Sequence, residues 1–375
     1  MVRRSLSAEK KYTAKKRANR EYQTPYGAIQ VARYVYQSAS GGKIHVPLEM
    51  SSRVIHGATP KFAKMLSHKY AGMSAQAVLD DLSTNHSRLI SKKYLQQTSD
   101  AVSTVLQTKE KVWEYTLPAI KESISTVSIS MDGAMLPTKE DGWRESMVGS
   151  ITLYNDKGER QHSIYVGEAP EYGKATFMDR MTVEIEKIKK CCSDARYLGI
   201  ADGAKTNWSF LEKHTDQQLL DFYHVTEYLA KASYAAYPEK TGKPKRVKWL
   251  DEGCHRLKHD KGAPENILNE LKGLSRKYKL TREVRENVGA AVTYFTNNIH
   301  RMNYAEHTKN HLPIGSGVTE AACKILIKQR FCKSGMRWKQ RGIKTVLRLR
   351  EFVQTTGRWQ QFWNKIDQYG VPCVT

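Results

Sequence analysis

The chain has 375 residues, of which 40% are hydrophobic, and a formal net charge of +23. Its length suffices for two or three domains, and the hydrophobic fraction excludes wholesale disorder. Without an 18-residue apolar run or an apolar leader, we expect a cytoplasmic protein that does not enter a membrane. Clustered cations most simply bind a polyphosphate backbone, so the charge favours a nucleic-acid partner over a basic surface with no specific partner.

The N-terminal third is predicted to begin with a basic arm. Residues 1–22 hold eight Lys or Arg against two Glu and show little apolar periodicity, which predicts a flexible arm or a frayed helix. Alternating apolar residues and a turn at Gly41 and Gly42 predict a β-hairpin region at 23–57. Residues 58–121 then follow a helical pattern.

Two helices within that helical region have Ser at a plausible N-cap, at 74–82 and 91–106. The pattern fits two alternatives equally well: a helix-turn-helix DNA-binding domain, or a pair of ordinary packed helices. In the first case, the second helix would present Lys92, Lys93 and Gln96 to DNA.

The pattern from 122 to 225 changes to short apolar strands. Three strands joined by short turns come first, and then helices and strands alternate up to a fifth strand at 218–225. This order predicts an α/β fold with a mixed five-stranded sheet. Residues 226–314 lose strand character and predict an all-α insertion, so 315–375 would supply the last part of the core and C-terminal helices.

Two aspartates occupy strand ends in this basic chain. Asp132 and Asp202 each follow an apolar run and precede a glycine, so both would project into one crevice if their strands are neighbours. Adjacent carboxylates repel unless a cation bridges them, and Mg²⁺ prefers such oxygen ligands. The alternative is that Asp-Gly is a common turn dipeptide, and for either Asp alone this explanation is the better one.

Glu320 lies in the first turn of a helix predicted to begin at Gly315-Ser316-Gly317. An acid there stabilises the helix N-terminus by about 0.3–1 kcal/mol, and this electrostatic role would suffice. However, two strands and a later helix that each offer one acid also match a two-metal phosphoryl-transfer site. The residues from 321 to 350, with ten Lys or Arg and no acid, would then hold the phosphodiester.

Five stretches between about 122 and 365 carry a family signal. They are SMDGA (130–134), IADGAK (200–205), DFYHVTEYL (221–229), HRMNYAEHTKNHLPIGSGVTEAACK (300–324) and QRFCKSGMRW (329–338). With these stretches the chain resembles the DDE transposases of bacterial insertion sequences, of the ISKra type, which are related to Mutator-like transposases. The segment IGSGVTEAACK followed by GMRW is the most specific part of the resemblance.

The resemblance implies a ribonuclease-H-like core in which Asp132, Asp202 and Glu320 form the catalytic triad and hold two Mg²⁺, or Mn²⁺ in their place. It implies cleavage at transposon ends and strand transfer into target DNA. The partners would be the terminal repeats and target as double-stranded DNA, bound by a homo-oligomer associated with the nucleoid. A structure-selective nuclease on the same fold and a catalytically silent DNA-binding derivative are the alternatives.

Asp221 competes with Asp202 as the second acid. It lies on the predicted fifth strand in a D-x-x-H pattern with His224, and such relatives carry a Cys- or Asp-x-x-His motif just after the second catalytic acid. We therefore expect Asp221 and His224 to support the site. The cations expected to steady the DNA backbone are Lys324, Lys328, Arg330, Lys333, Arg337 and Lys339. Among them, Trp338 would either stack on a base or pack within the fold.

Overall fold

The computed structural model describes residues 12–277 and 280–371. The chain divides into two compact units. The first unit holds the residues up to 116 together with 341–353 and those from 357 onward, and the second unit holds 117–340 and 354–356. In the described ranges, no helix is long and apolar enough to cross a membrane.

The strands form two separate sheets. Their bounds are β1 Tyr12–Thr24, β2 Gly27–Ser38, β3 Gly41–His45, β4 Thr126–Pro137, β5 Trp143–Tyr154, β6 Arg160–Glu168, β7 Arg196–Ala201 and β8 Gln217–Leu220. The first sheet is antiparallel, with strand order β1-β2-β3, and the second has the order β6-β5-β4-β7-β8.

The helices account for most of the remaining described chain. Their bounds are α1 Pro47–Ser51, α2 Pro60–Gly72, α3 Ala75–His86, α4 Lys92–Lys109, α5 Ala175–Cys191, α6 Lys205–His214, α7 Phe222–Ala236, α8 Lys243–His259, α9 Ala263–Ser275, α10 Arg282–Asn298, α11 Tyr304–Lys309, α12 Gly317–Ala322, α13 Gln329–Phe331, α14 Gln340–Gln354 and α15 Arg358–Tyr369. A π-helical segment at Cys323–Lys328 joins α12 to α13.

The basic N-terminal segment is a strand wherever the structure describes it. The expected flexible arm or frayed helix is wrong for residues 12–22, because they pair with β2 along nearly the whole of β1, from Tyr12 opposite Ser38 to Thr24 opposite Gly27. Cross-strand hydrogen bonds here supply the order that apolar periodicity did not predict. Residues 1–11 of the expected arm lie outside the described residues. The hairpin predicted within 23–57 corresponds to β2 and β3.

The two helices of the suggested helix-turn-helix are present as α3 and α4. Both N-cap predictions are confirmed: Ser74 accepts a hydrogen bond from the Ala77 amide and Ser91 accepts one from the Tyr94 amide, each at 3.1 Å. The helix α4 buries its apolar side against α2 and α3. Lys92, Lys93 and Gln96 are exposed, as DNA binding by this helix would require, and that role stays a prediction.

The C-terminal helices α14 and α15 belong to the first unit, whereas the sequence pattern groups them with the last part of the core. Ion pairs to α4 and its C-terminal end explain the difference, one made by a buried arginine and one by an exposed arginine. The Arg348 guanidinium lies 2.7 Å from the Glu110 carboxylate, and the Arg341 Nε donates to Asp100 at 2.9 Å. These cations of the basic C-terminal region are therefore engaged within the protein.

The sheet of the second unit confirms the predicted mixed α/β arrangement of five strands. The strand β4 pairs antiparallel with β5 and β5 with β6, whereas β7 runs parallel to both β4 and β8. Parallel neighbours need a crossover, and α5 and α6 precede β7 and β8 as such connections. Between β8 and α12 the described chain carries helices α7 to α11, in agreement with the helical texture expected for 226–314.

Candidate metal centre

Asp132 and Asp202 lie at the same edge of the sheet. The parallel ladder between β4 and β7 ends at Ser130 opposite Ile200, so each Asp lies two residues beyond the last pair. The two strands are therefore neighbours, which is the condition for both carboxylates to project into one crevice. The expectation that Asp132 ends its strand is wrong, because β4 continues to Pro137 by pairing with β5 alone, with Asp132 opposite Val148.

Asp221 is the N-cap of α7 and is fully buried. It follows β8, which ends at Leu220, so the prediction of a fifth strand reaching residue 225 is wrong. Its Oδ1 accepts from the Tyr223 amide at 2.8 Å. Its Oδ2 accepts from the amide and hydroxyl of Ser316 and lies 3.4 Å from Nδ1 of His224. Both carboxylate oxygens are therefore engaged by donors of the protein itself.

The glycine-bracketed turn brings α12 against Asp221. Ser316 directs its hydroxyl to that carboxylate instead of capping its own helix. A Cβ at Gly315 would lie 3.1 Å from the Tyr223 ring and 3.4 Å from Asp221 Oδ1, so a larger residue would have to displace the Tyr223 ring by a few tenths of an ångström. Glu320 lies in the first turn of α12, as predicted. A buried hydrogen bond of 2.6 Å between Thr319 and Ser150 holds the helix on β5.

Asp221, His224 and Glu320 form a group that could hold a metal ion. Their donor atoms all lie within 4.8 Å of one another. Since Asp221 already accepts from several donors, its simplest role is to orient His224, as carboxylates commonly do behind metal-ligating histidines. The atoms of the group that remain available as metal ligands are then the outer imidazole nitrogen of His224 and the carboxylate oxygens of Glu320.

An open cleft of about 660 Å³ collects these donors with Asp132. Its wall also contains Glu227 and the two lysines Lys324 and Lys328. The carboxylates and the imidazole of the cleft can bind a metal cation. The two lysines beside them can bind an anion. A metal ion and a phosphate group are complementary to this combination.

Asp202 belongs to this site through its charge more than through direct contact. Its Oδ1 accepts from the Ala204 amide at 3.1 Å and from Asn207 at 3.4 Å. Its negative charge nevertheless helps to raise the pKa of Asp132 and that of His224. The structure therefore brings Asp132, His224 and Glu320 to one cleft and places Asp202 beside them.

The carboxylates of the cleft are electrostatically unfavourable in the absence of a cation. Burial raises the pKa of Asp132, and the charge of the neighbouring Asp202 raises it further. The hydrogen bond from the Gly133 amide lowers this pKa and partly offsets the two effects. Burial also raises the pKa of Glu320, together with the charges of Asp221, Asp132 and Glu227. Raised carboxylate pKa values in a cleft are typical of sites that bind a cation or transfer protons.

We expect the Asp221–His224 pair to make stability depend on pH. The hydrogen bond to Asp221 raises the pKa of His224 from 6.5 to about 9. The stabilisation is therefore fully present below pH 6.5 and is lost as the pH rises through 9. In metal-free buffer, thermal melting should show that the wild-type protein loses more stability over this interval than a His224→Gln variant does. Equal losses in the two proteins would contradict the pair.

The cations predicted to bind DNA fall into two groups. Lys324 and Lys328 line the cleft. The others that reach solvent are Lys333, Arg337 and Lys339. The prediction for Arg330 is wrong, because its side chain is only 1% exposed.

Arg330 is buried because its guanidinium lies over the ring of Trp338, 4.8 Å from the ring centroid. Trp338 donates from Nε1 to the Phe331 carbonyl at 3.1 Å and packs edge-on against the Phe331 ring. The packing alternative therefore describes Trp338, and a base-stacking role for it is not favoured.

Sequence reasoning missed Glu227, Cys323 and the role of Ser316. Asp221, His224 and Glu227 recur at intervals of three, a spacing that keeps residues on neighbouring parts of one helix surface, and this signal could have found Glu227. Cys323 lies with its Sγ 3.7 Å from Asp132 Oδ2 and begins the π-helical segment. Such segments are frequent at functional sites.

The chain matches no known family model, and no curated protein is similar enough to count as a relative. Two observations therefore bear on function: the sequence motifs that resemble those of DDE transposases, and the geometry of the cleft.

Proposed function

We propose that the protein is a DDE-type DNA transposase that cleaves DNA at transposon ends and transfers the strand into target DNA. The observation that supports this best is the meeting of Asp132 and Glu320 in one cleft with Lys324 and Lys328. Asp132 and Glu320 lie far apart in the chain, on a strand and on a helix, and Asp202 lies at the same sheet edge as Asp132.

The arrangement of the second unit is consistent with a ribonuclease-H-like core. Three antiparallel strands are followed by two parallel ones, and the acids occupy the edge where the parallel strands end. In open α/β sheets, ligands bind outside the carboxyl ends of the strands. The helices α7 to α11 would then be the insertion between β8 and the last catalytic helix.

The proposed cofactor is Mg²⁺, with Mn²⁺ as a substitute, and the donor set fits it. Hard divalent ions select carboxylate oxygens, and repulsion among the carboxylates of the cleft is relieved by a bound cation. Asp132, Asp202 and Glu320 would hold two ions. When bound, the ions would activate the attacking oxygen and stabilise the leaving one.

The protein's own groups have separate tasks in this proposal. Lys324 and Lys328 would hold the phosphodiester against the cleft by charge-assisted hydrogen bonds. Asp221 fixes the position of α12 through Ser316, and thereby the position of Glu320. His224, beside Glu320, would supply either a further ligand or a positive charge that neutralises the cleft before metal binds.

A cleavage assay on the DNA that flanks the gene tests the proposal. We expect a labelled duplex carrying the flanking inverted repeat to be cut at the repeat end in Mg²⁺ or Mn²⁺ but not in EDTA. A supercoiled plasmid added as target should then acquire the labelled strand. Cutting without joining would favour a structure-selective nuclease instead. Binding without cutting would favour a catalytically silent derivative.

A further inference from the structure

The ribbon formed by β1 and β2 has one anchored face and one exposed face. Residues paired across an antiparallel ladder share a face. On the anchored face, Tyr22 and Arg33 are buried, and Tyr22 donates to the Glu49 carboxylate of α1 at 2.6 Å. On the exposed face, the ladder pairs Arg17 with Tyr34, Asn19 with Ala32 and Glu21 with Gln30, and all six residues are exposed.

The exposed face displays side chains suited to reading DNA bases. Arg pairs with the acceptor edge of guanine in the major groove, and Asn and Gln pair with adenine. Arg17, Asn19 and Gln30 supply these groups on two adjacent strands. Ala32 and Ala28, which are also exposed, keep the surface between them low enough for close approach. A two-stranded ribbon is one of the few elements that the major groove admits.

Cations line the same ribbon. Residues 12–20 contain Lys15, Lys16, Arg17 and Arg20 and no acid, and all four side chains are exposed, although Arg20 pairs with Glu49 on the anchored face at 2.9 Å. The ladder shifts register between Ala14 and Lys16, so Lys15 lies at an irregularity, where a side chain can be re-aimed. Glu21 at the far end is the one acid on the exposed face in the described ribbon, and it accepts from Gln23 at 2.7 Å.

Cations on an edge strand also discourage pairing between copies of a chain, and β1 is an edge strand. That purpose does not require Arg, Asn and Gln together on the exposed face. It also does not require basic side chains on both sides of the strand. The combined set is complementary to a duplex with negative phosphates and base-edge acceptors.

We propose that the β1–β2 ribbon docks in the major groove of double-stranded DNA. Arg17, Asn19 and Gln30 contact base edges, while Lys15 and, from the outer edge of the ribbon, Lys16 contact phosphates. This inference rests on the proposed function and deepens it, because it names the element that recognises a DNA sequence, a task that a helix-turn-helix would instead give to α4.

The test uses the full chain in EDTA, so that binding is measured apart from cleavage. Selection from a library of randomised 30-bp duplexes identifies a preferred duplex, and fluorescence anisotropy compares it with a scrambled one. The Asn19→Ala/Gln30→Ala double variant should lose about tenfold of the preference for the selected duplex. The Lys15→Ala/Lys16→Ala/Arg17→Ala triple variant should bind both duplexes at least about tenfold more weakly, with a salt slope lower by about 2–3.

The matched control removes three exposed lysines from α8 of the second unit, as Lys243→Ala/Lys245→Ala/Lys248→Ala. Circular dichroism establishes that each variant is folded. Equal losses in the control and the ribbon triple variant, or no loss in either ribbon variant, would overturn the proposal. A change of oligomeric state without a change of DNA affinity, measured by light scattering, would also overturn it in favour of a second copy. This binding test does not depend on cleavage, so a protein that binds DNA through the ribbon but never cuts it would still give the expected result. Failure of the ribbon proposal is therefore distinguishable from failure of the proposed transposase activity.

Discussion

A Glu320→Gln variant is expected to bind DNA as the wild-type protein does but to cleave it at least about a thousand-fold more slowly. That factor corresponds to about 4 kcal/mol of transition-state stabilisation, the scale on which bound metal ions contribute. Gln keeps the shape of the side chain and removes the negative charge that would hold the cation. Asp132→Asn is expected to have the same effect. End-labelled duplex in Mg²⁺ measures the rate, and anisotropy in EDTA measures the binding.

The stability of the same variant separates a functional carboxylate from a structural one. Burial and the charges of Asp221, Asp132 and Glu227 raise the pKa of Glu320, so its ionised form is unfavourable in the metal-free protein. The melting temperature of Glu320→Gln in EDTA should therefore equal or exceed that of the wild type. Glu286→Gln, on an exposed ion pair of α10, is the control and should leave cleavage unchanged. Full cleavage by Glu320→Gln would refute the site.

An Asp221→Asn variant is expected to lose stability as well as activity. The carboxylate is fully buried, accepts hydrogen bonds from Tyr223 and Ser316, and lies 3.4 Å from Nδ1 of His224. An amide group must turn its NH₂ towards one of these donors, and His224 loses its ion-pair partner. Breaking a buried pair costs about 3–5 kcal/mol. For a unit of this size we expect the melting temperature to fall by about 10 °C.

The control for Asp221 is Asp216→Asn, which also removes a carboxylate that accepts a backbone hydrogen bond, 2.9 Å from the Tyr197 amide, but on an exposed residue. Its stability should change by less than about 1 kcal/mol. If Asp221→Asn instead kept wild-type stability and lost only metal-dependent cleavage, Asp221 would be a metal ligand. It would then replace Asp202 as the second acid.

Much of the fold could be predicted because its signals are local. Ser74 and Ser91 cap helices through amides three residues away, and such caps depend only on the adjacent backbone. Apolar alternation located the strands near Asp132 and Asp202 for the same reason, although β4 continues through Asp132 and Gly133. The sheet itself followed from the order of strands and helices, since short turns join antiparallel strands and helices join parallel ones.

The predictions that failed depended on contacts with another segment of the chain. Residues 12–22 look disordered by composition, but a partner strand orders them. Arg330 looks like a DNA-binding cation within a basic segment, but its guanidinium lies on Trp338 in the interior. The strand expected to reach residue 225 ends at Leu220, because Asp221 caps a helix and accepts from Ser316, a residue from a different part of the chain.

By itself the sequence determined which donor types the site contains and that Glu320 lies in the first turn of a helix, because strand periodicity and helix starts are set by neighbouring residues. Only the tertiary structure decided which of these acids meet. Glu320 reaches the cleft of Asp132 because Thr319 bonds to Ser150 and Ser316 bonds to Asp221. These contacts join residues 95 or more positions apart, and no local pattern encodes their geometry.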